Sequence, residues 1–297
     1  MYKRQLERPA ILPDIFARWF ASRGWVPRAH QLDLLTKAQA GRSVLLIAPT
    51  GGGKTLAGFL PSLVELSGAA VSPTASEGAA KRKLISLGRD VRRDAGLHTL
   101  YISPLKALAV DIARNLEAPV AEMRLPIRIE TRTGDTPTLK RQRQRRDPPE
   151  ILLTTPEQVA LLLASADAPY LFGSLKRVIL DELHALVVSK RGDLLSLGLA
   201  RLFRLAPDLA SIGLSATVAE PQELSRYMVP QHSGAADGAR ADLIVAEAGA
   251  APHVTMLDTR ERLPWAGHSA RHALDEVYRL IKAHRITLCL LYTSRCV

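Results

Sequence analysis

A run of small residues followed by a lysine and a threonine is typical of phosphate binding: Ala48-Pro-Thr-Gly-Gly-Gly-Lys-Thr55. Glycines let the backbone wrap around phosphates, and amide N–H groups with a helix N-terminus supply positive potential. Lys54 is suited to the β- and γ-phosphates and Thr55 to Mg²⁺. The usual GxxxxGK[ST] pattern begins with glycine, where this chain has Ala48. The predicted nucleotide-binding residues of this loop are Thr50, Gly51, Gly52, Gly53, Lys54 and Thr55.

Two adjacent carboxylates follow a short apolar run in Arg177-Val-Ile-Leu-Asp-Glu-Leu-His184. A buried strand would present Asp181 and Glu182 at its carboxyl end, where parallel sheets bind their ligands. Asp181 can hold Mg²⁺ through water, and Glu182 can accept a proton from an attacking water. We therefore predict Lys54, Asp181 and Glu182 as catalytic residues.

Two weaker signals belong to the same predicted site. Ser215 and Thr217, in Gly213-Leu-Ser-Ala-Thr217, offer hydroxyls at another strand end. Gln31 precedes the glycine-rich run and has an amide whose donor and acceptor suit an adenine edge. Alone, Gln31 would more simply be an exposed helix residue, and Ser-Ala-Thr a turn.

Strand-like and helix-like segments alternate through most of the chain, which predicts an α/β fold with a doubly wound parallel sheet. Apolar strands are expected at 43–48, 98–103, 127–131, 151–155, 177–181 and 211–214, with helices between them. Residues 67–96 resemble an exposed insertion. We predict an N-terminal helix within 1–24, an ATP-binding domain over 25–230, a linker over 231–252 and the start of another domain over 253–297. In that last segment we expect a helix at 270–284 and a strand at 286–291.

Composition narrows the class of protein. Among 297 residues, 40 lysines and arginines outnumber 29 acidic residues, which gives a net charge of +11. Such a surplus suggests a polyanionic partner, most often nucleic acid. No apolar run approaches the ~18 residues that span a bilayer. The two cysteines, Cys289 and Cys296, form no disulfide framework or metal pair, so we expect a cytoplasmic protein without a membrane partner.

The motifs occur in a familiar order: Gln31, the glycine-rich run, Ser103-Pro-Leu-Lys-Ala-Leu108, Thr154-Thr-Pro-Glu157, Asp181-Glu-Leu-His184 and Ser215-Ala-Thr217. Together they resemble superfamily 2 DExH-box helicases. Lys106, Arg132-Thr-Gly-Asp-Thr136 and Leu263-Pro-Trp-Ala-Gly-His268 resemble the Lhr-like branch, which includes ligase-associated bacterial DNA helicases. The resemblance covers about residues 25–288.

This resemblance implies ATP-dependent movement along a single nucleic-acid strand, with DNA as the preferred partner and a role in DNA repair that includes a ligase. It implies a RecA-like first domain that uses ATP and Mg²⁺. His184, Ser215 and Thr217 would couple the nucleotide site to the strand. The residues that would contact the nucleic-acid backbone are Ser103, Lys106, Arg132, Thr133, Gly134, Thr155 and Pro156. Thr155, Pro156 and Glu157 would serve equally well as a helix start.

Past Cys289 the chain departs from the family pattern, and the later motifs, including the arginine finger, do not follow. We expect a fragment of a longer helicase, with a natural stand-alone domain as the alternative. A phosphate-loop ATPase that acts as a regulatory switch is a second possible function. A structural nucleic-acid binder with a degenerate site is a third, and the intact Lys54, Thr55, Asp181 and Glu182 argue against it.

One motif remains open. Five of the seven residues from Lys140 to Arg146 are basic, and in sequence no acid balances them before Asp147. Charge runs of this kind usually form a solvated helix face. The run lies between two segments that the resemblance assigns to the nucleic acid, so it is also a candidate for phosphate contacts through Arg143, Arg145 and Arg146.

Overall fold

The computed structural model describes residues 11–68, 96–216, 218, 220–231, 238–246, 253–257 and 273–288. The chain divides into two compact units whose boundary falls between residues 249 and 250. Most of the insertion predicted at 67–96 and all of 289–297 lie outside the described residues, as do Thr217 and the segment 263–268.

The first unit is built on one seven-stranded sheet in which every pairing is parallel. Its strands, in chain order, are β1 Val44–Ile47, β2 Thr99–Ile102, β3 Ile129–Arg132, β4 Ile151–Thr154, β5 Arg177–Leu180, β6 Ala210–Ser215 and β7 Asp242–Val245. The spatial order is β3-β4-β2-β5-β6-β1-β7. The predicted α/β fold with a doubly wound parallel sheet is therefore confirmed.

Helices cover both faces of this sheet. In chain order they are α1 Asp14–Ser22, α2 Ala29–Gln39, α3 Lys54–Leu66, α4 Lys106–Glu122, α5 Thr138–Arg146, α6 Pro156–Leu163, α7 Ala168–Phe172, α8 Leu183–Val187, α9 Lys190–Leu205 and α10 Pro221–Tyr227. In the second unit the described residues form α11, Leu274–Ala283.

Alternating side chains of β1, β2, β4 and β5 pack into two separate cores, one on each face of the sheet. In β1, Val44 and Leu46 join the core under α1 to α4, while Leu45 and Ile47 join the core under α6 to α10. This division follows from the period-2 geometry of a strand whose two faces are both covered. Only the edge strands β3 and β7 keep partly exposed residues along their length.

The N-terminal helix α1 packs as part of the first unit and is not a separate segment outside its core. Phe16, Trp19 and Phe20 of α1 are buried in the same core as Leu34 and Leu35 of α2. Trp19 also donates its indole N–H to the carboxylate of Glu122, at the end of α4, at 2.7 Å. The predicted boundary at residue 24 therefore divides one packed core.

The linker predicted over 231–252 is wrong for its central part. Asp242–Val245 form β7, which pairs in parallel with β1 and buries Ile244. The short Asp-Leu-Ile-Val run is a weak strand signal in the sequence, because alanine and glycine dominate the residues around it. Asp242 also binds Lys37 at 2.9 Å and Arg42 at 2.5 Å, which fastens the strand to α2 and the turn after it.

Smaller differences concern single elements. The short helices α7 and α8 were not predicted individually. The strand expected at 286–291 does not form over residues 286–288, the part that the structure describes. Within the described ranges, none of the helices combines the length and hydropathy that a bilayer crossing requires.

Parallel pairing brings all strand carboxyl ends to one edge of the sheet, where ligands of such folds bind. β5, β6 and β1 are consecutive in that edge, and so are β3, β4 and β2. The first group carries the predicted nucleotide residues and the second group carries the predicted nucleic-acid residues. We call the first group the nucleotide half of the edge. The second group is named after the nucleic-acid strand and is called the strand half.

Candidate nucleotide and nucleic-acid sites

The glycine-rich loop connects the end of β1 to the start of α3, and its backbone explains its glycines. Gly51 and Gly53 have φ angles of 76° and 75°, in the left-handed region that side chains disfavour. A Cβ on Gly52 would lie 2.7 Å from the carbonyl oxygen of Pro49. Ala48, which replaces the usual first glycine, extends the strand: it is buried, and its N–H donates to Ser215 at 3.1 Å.

Lys54 is held inside this loop. Its ammonium donates to the carbonyl oxygens of Ala48 at 2.9 Å and Pro49 at 3.3 Å, and the residue is 8% exposed. It lines a cavity of about 920 Å³ together with Thr50, Gly51, Gly53 and Thr55. A buried cation beside backbone amides at a helix N-terminus suits the phosphates of a nucleotide.

Gln31 ties the loop to the chain before α2. Its side chain accepts a hydrogen bond from the N–H of Arg28 at 2.9 Å and donates to the carbonyl of Gly53 at 3.3 Å. His30 donates to the neighbouring carbonyl of Gly52 at 2.9 Å, since a carbonyl oxygen only accepts, and burial lowers the pKa of His30. One donor and one acceptor of Gln31 are therefore spent within the chain, which leaves one N–H and one lone pair for a base.

Asp181 lies just past the end of β5 and is almost fully buried. Its Oδ2 accepts a hydrogen bond from the hydroxyl of Tyr101 at 2.5 Å, and its Oδ1 accepts one from the N–H of Glu182 at 2.9 Å. Burial raises the pKa of Asp181, and these two hydrogen bonds oppose that effect. Burial and the charge of Asp181 likewise raise the pKa of Tyr101, so the phenol keeps its proton.

Glu182 turns the chain from β5 into α8. Its φ of 47° and ψ of 44° are left-handed, which is costly for a residue with a side chain and recurs at functional sites. His184, two residues further on, places Nε2 3.5 Å from the Glu182 carboxylate and Nδ1 3.1 Å from the hydroxyl of Ser215. The histidine thus connects the ends of β5 and β6, as its predicted coupling role requires.

The cavity extends beyond the predicted residues. Asp181 and Glu182 line it together with the loop and Gln31, and so do Trp25 and Arg28. Trp25 is 51% exposed, stacks edge-to-face on Trp19 with centroids 5.7 Å apart, and carries the Arg23 guanidinium 5.7 Å above its ring. Sequence reasoning missed Trp25, although an aromatic residue shortly before Gln31 in a Gly-Trp-Val-Pro turn was a usable signal.

The donor set fits Mg²⁺. Oxygen ligands suit this ion, which is usually bound through one or two carboxylates and the phosphates of the substrate. Thr55 and Asp181 line the same cavity and supply a hydroxyl and a carboxylate. Among the described residues no group of three or more His, Cys, Asp or Glu side chains forms a metal site on its own. Phosphate oxygens would therefore have to complete the coordination.

Of the residues predicted to contact nucleic acid, Lys106 and Gly134 are exposed. Lys106 pairs with Asp135 at 3.1 Å. A second cavity, of about 570 Å³, lies between the start of α4 and the loop after β3. It is lined by Lys106, Ala107, Val110, Asp111, Thr131, Thr133, Asp135, Thr136, Pro137 and Lys140. We call this cavity the strand groove.

The other predicted contacts are buried. Ser103 bonds the backbone of Leu105 before α4, and Thr155 and Pro156 begin α6 as a helix start would. Arg132 donates to the carbonyl of Arg141 at 3.0 Å, and burial lowers the pKa of this guanidinium. Its side chain fixes the loop after β3 from within, so the predicted phosphate contact by Arg132 does not fit this structure.

The basic run forms α5, and acids that are distant in sequence balance it. Arg143 binds both carboxylate oxygens of Glu130 at 2.6 Å, and Arg145 binds Asp167. The run has no acidic neighbour in sequence before Asp147, but in the fold Glu130 and Asp167 pair with two of its arginines.

Two other members of the run lie beside predicted nucleic-acid contacts. Lys140 lines the strand groove. Arg141 donates to the carbonyl oxygens of Thr133 at 3.2 Å and Gly134 at 2.5 Å.

A family model supports this assignment of motifs. The model described as DEAD/DEAH box helicase matches residues 28–224, which include Gln31, the phosphate loop, Asp181, Glu182 and Ser215. The chain belongs to the DEAD/DEAH box helicase family. The predicted resemblance to superfamily 2 DExH-box helicases is thereby confirmed.

Individual helicases support the Lhr-like branch. ATP-dependent helicase Lhr-Core protein 2 of Thermococcus barophilus is 37% identical over 228 residues, which cover 73% of this chain and 24% of that protein. The Lhr helicase/probable uracil glycosylase of Mycolicibacterium smegmatis is 40% identical over 224 residues, which cover 72% of this chain and 14% of that protein. The chain thus spans a quarter or less of the length of these relatives.

Solved helicase structures agree. The structure of Mycobacterium smegmatis helicase Lhr bound to ssDNA and AMP-PNP has a TM-score of 0.65 and 31% identity, over 91% of this chain and 32% of that chain. The DUF1998 helicase MrfA bound to DNA has a TM-score of 0.59 and 25% identity, over 80% of this chain and 30% of that chain.

Proposed function

We propose that this chain is the ATP-binding half of a helicase that hydrolyses ATP to move along a single nucleic-acid strand. The observation that carries the proposal is the division of one sheet edge into a nucleotide half and a strand half. Strands β2 and β5 are neighbours at the join, and Asp181 after β5 is hydrogen-bonded to Tyr101 of β2. A change at the nucleotide therefore has a short path to the strand groove.

Each side chain of the nucleotide half has a definite task in this proposal. Lys54 holds the β- and γ-phosphates, and the amides at the start of α3 surround them. Glu182 accepts the proton of the attacking water, and His184 and Ser215 link that carboxylate to the end of β6. Thr55 and Asp181 would hold Mg²⁺, which neutralises phosphate charge when bound.

We propose DNA as the strand, because the solved Lhr and MrfA structures contain DNA. The strand groove carries Lys106 and Lys140 and several threonine hydroxyls, which suit phosphate oxygens better than base edges. Binding should therefore be largely independent of sequence.

A cytoplasmic location, where ATP and nucleic acid are both available, fits this activity. The repair role and the ligase partner stay predictions from the resemblance, which co-purification with a ligase would test.

The test is the rate of ATP hydrolysis by the full-length helicase with and without single-stranded DNA, in the wild type and in Lys54→Ala. The full-length protein is used because the fragment alone is expected to be inactive or weakly active. We expect DNA to stimulate the wild type and Lys54→Ala to lose ATP binding, because the loop loses its phosphate-directed cation. Lys176→Ala, an exposed lysine before β5, is the matched control and should behave as the wild type. Hydrolysis that DNA leaves unchanged would favour the regulatory switch.

A further inference from the structure

The hydrogen bond between Tyr101 and Asp181, which links β2 to β5, also bears on the orientation of a proposed metal ligand. Tyr101 is the third of the four residues of β2 and is fully buried, and its hydroxyl reaches Oδ2 of Asp181 at 2.5 Å. Its neighbours in the strand, Leu100 and Ile102, are apolar and belong to the opposite core. An apolar residue would serve the packing at this position equally well, so the hydroxyl needs a separate explanation.

The contact fixes the direction of the carboxylate. A carboxylate only accepts hydrogen bonds, so the phenol is the donor. Oδ1 already accepts the N–H of Glu182 at 2.9 Å, and the hydroxyl of Tyr101 engages the other oxygen. With both oxygens bound, rotation about the last bond of the Asp181 side chain would break one of the two hydrogen bonds.

The ring of Tyr101 is itself held by the helix that follows the phosphate loop. It stacks on Phe59 of α3, with centroids 5.3 Å apart and planes 26° apart. The helix that carries Lys54 and Thr55 is therefore packed against the residue that orients Asp181. This chain of contacts sets the carboxylate relative to the phosphate loop.

We propose that Tyr101 is a positioning residue that holds Asp181 in the orientation needed for Mg²⁺-dependent nucleotide binding. The inference rests on the proposed ATP-binding function. Groups that orient a metal ligand through hydrogen bonds typically change metal affinity by about 10- to 100-fold when they are removed. Loss of this hydroxyl should therefore weaken the effect of Mg²⁺ by about tenfold and leave the phosphate loop intact.

The experiment is Tyr101→Phe, which keeps the ring and its stacking on Phe59. Binding of a fluorescent ADP analogue is measured without metal and across a Mg²⁺ titration. We expect unchanged affinity without Mg²⁺ and about a tenfold higher Mg²⁺ concentration at half effect. The control is Tyr227→Phe, which removes another tyrosine hydroxyl bond, a partly buried one to the carbonyl of Gly192 at 2.6 Å, from a residue outside the cavity lining. It should change neither quantity.

A double-mutant cycle shows whether Tyr101 acts through Asp181. Asp181→Asn should itself weaken the Mg²⁺ effect, and adding Tyr101→Phe should weaken it little further. Equal losses of affinity with and without Mg²⁺ in Tyr101→Phe would mean general structural damage and would overturn the inference, as would an unchanged Mg²⁺ titration. A wild type that fails to bind the analogue would refute the proposed nucleotide site, whereas a wild type that binds it with no Mg²⁺ dependence would overturn this inference alone.

Discussion

In the proposed function, ATP hydrolysis depends on Glu182 as the general base. Its backbone is held in a left-handed conformation at the end of β5, and its carboxylate lies near His184 on the wall of the nucleotide cavity. Such a conformation persists only where the surroundings determine it, and here β5 and α8 lie on either side. In this conformation Glu182 lines the cavity that also holds the phosphate loop.

Glu182→Gln should keep ATP binding and lower hydrolysis by at least about 10²-fold, because an amide cannot accept the proton and a general base typically contributes 10²–10⁴-fold. The measurement is single-turnover ATP hydrolysis beside equilibrium binding of ATP. Glu220→Gln, an exposed glutamate before α10, is the control. Hydrolysis at the wild-type rate in Glu182→Gln would remove this residue from the base role.

At the scale of elements, α3 is anchored at both ends. Its first residue, Lys54, closes the phosphate loop, and near its last turn Glu65 binds the buried Arg177 at 2.6 Å and His98 at 3.0 Å. Burial alone would raise the pKa of Glu65, but the hydrogen bonds and charges of Arg177 and His98 outweigh it and lower the pKa to about 2. Through Arg177 and His98, Glu65 holds the end of α3 to the amino ends of β5 and β2.

Glu65→Gln should lower the free energy of unfolding by about 2 kcal/mol at pH 7, less than the shift alone implies, because the carboxylate is partly exposed. A carboxylate with a lowered folded pKa stabilises the fold above its unfolded pKa. The difference between wild type and variant should therefore be constant above about pH 5 and shrink as the pH falls from about 4.5 toward 2. Urea unfolding at several pH values measures it.

The exposed Glu117→Gln on α4 is the matched control, and its stability should match the wild type at every pH. If the loss in Glu65→Gln were the same at pH 3 as at pH 7, the carboxylate charge would not be the stabilising feature.

The helix α5 shows how sequence distance misleads. Arg143 and Arg145 are bound to Glu130 and Asp167, and Glu130 is 11% exposed at its side chain. Replacing both arginines with alanine should therefore lower stability by about 1–2 kcal/mol, since a mostly buried carboxylate loses its partner. Affinity for single-stranded DNA should change little.

The matched variant is Lys106→Ala with Lys140→Ala, two lysines of the strand groove. It should weaken binding for all sequences and make the salt dependence shallower, by about 0.7 in the log–log slope per lost phosphate contact. A salt titration with a fluorescent oligonucleotide compares the two double variants. A shallower slope in the arginine pair would restore α5 to the nucleic-acid interface.

Over the whole molecule, the sequence predicted what depends on local pattern. The apolar runs of β1, β2, β4, β5 and β6 and the motifs at their ends follow from strand length and residue type. The partners of Arg143, Arg145 and Tyr101 could not be predicted, because they come from segments far along the chain. β7 was not predicted from the sequence, because edge strands are short and partly exposed and give a weaker apolar signal.

The central claim is that one sheet edge binds ATP in its nucleotide half and a nucleic-acid strand in its strand half. Hydrogen–deuterium exchange of the protein alone, with ADP and Mg²⁺, and with single-stranded DNA tests it directly. We predict that the nucleotide slows exchange at 48–55 and 181–184, and that DNA slows exchange at 103–107 and 131–137. Protection by DNA confined to the outer face of α5, or protection by both ligands at the same peptides alone, would contradict the account.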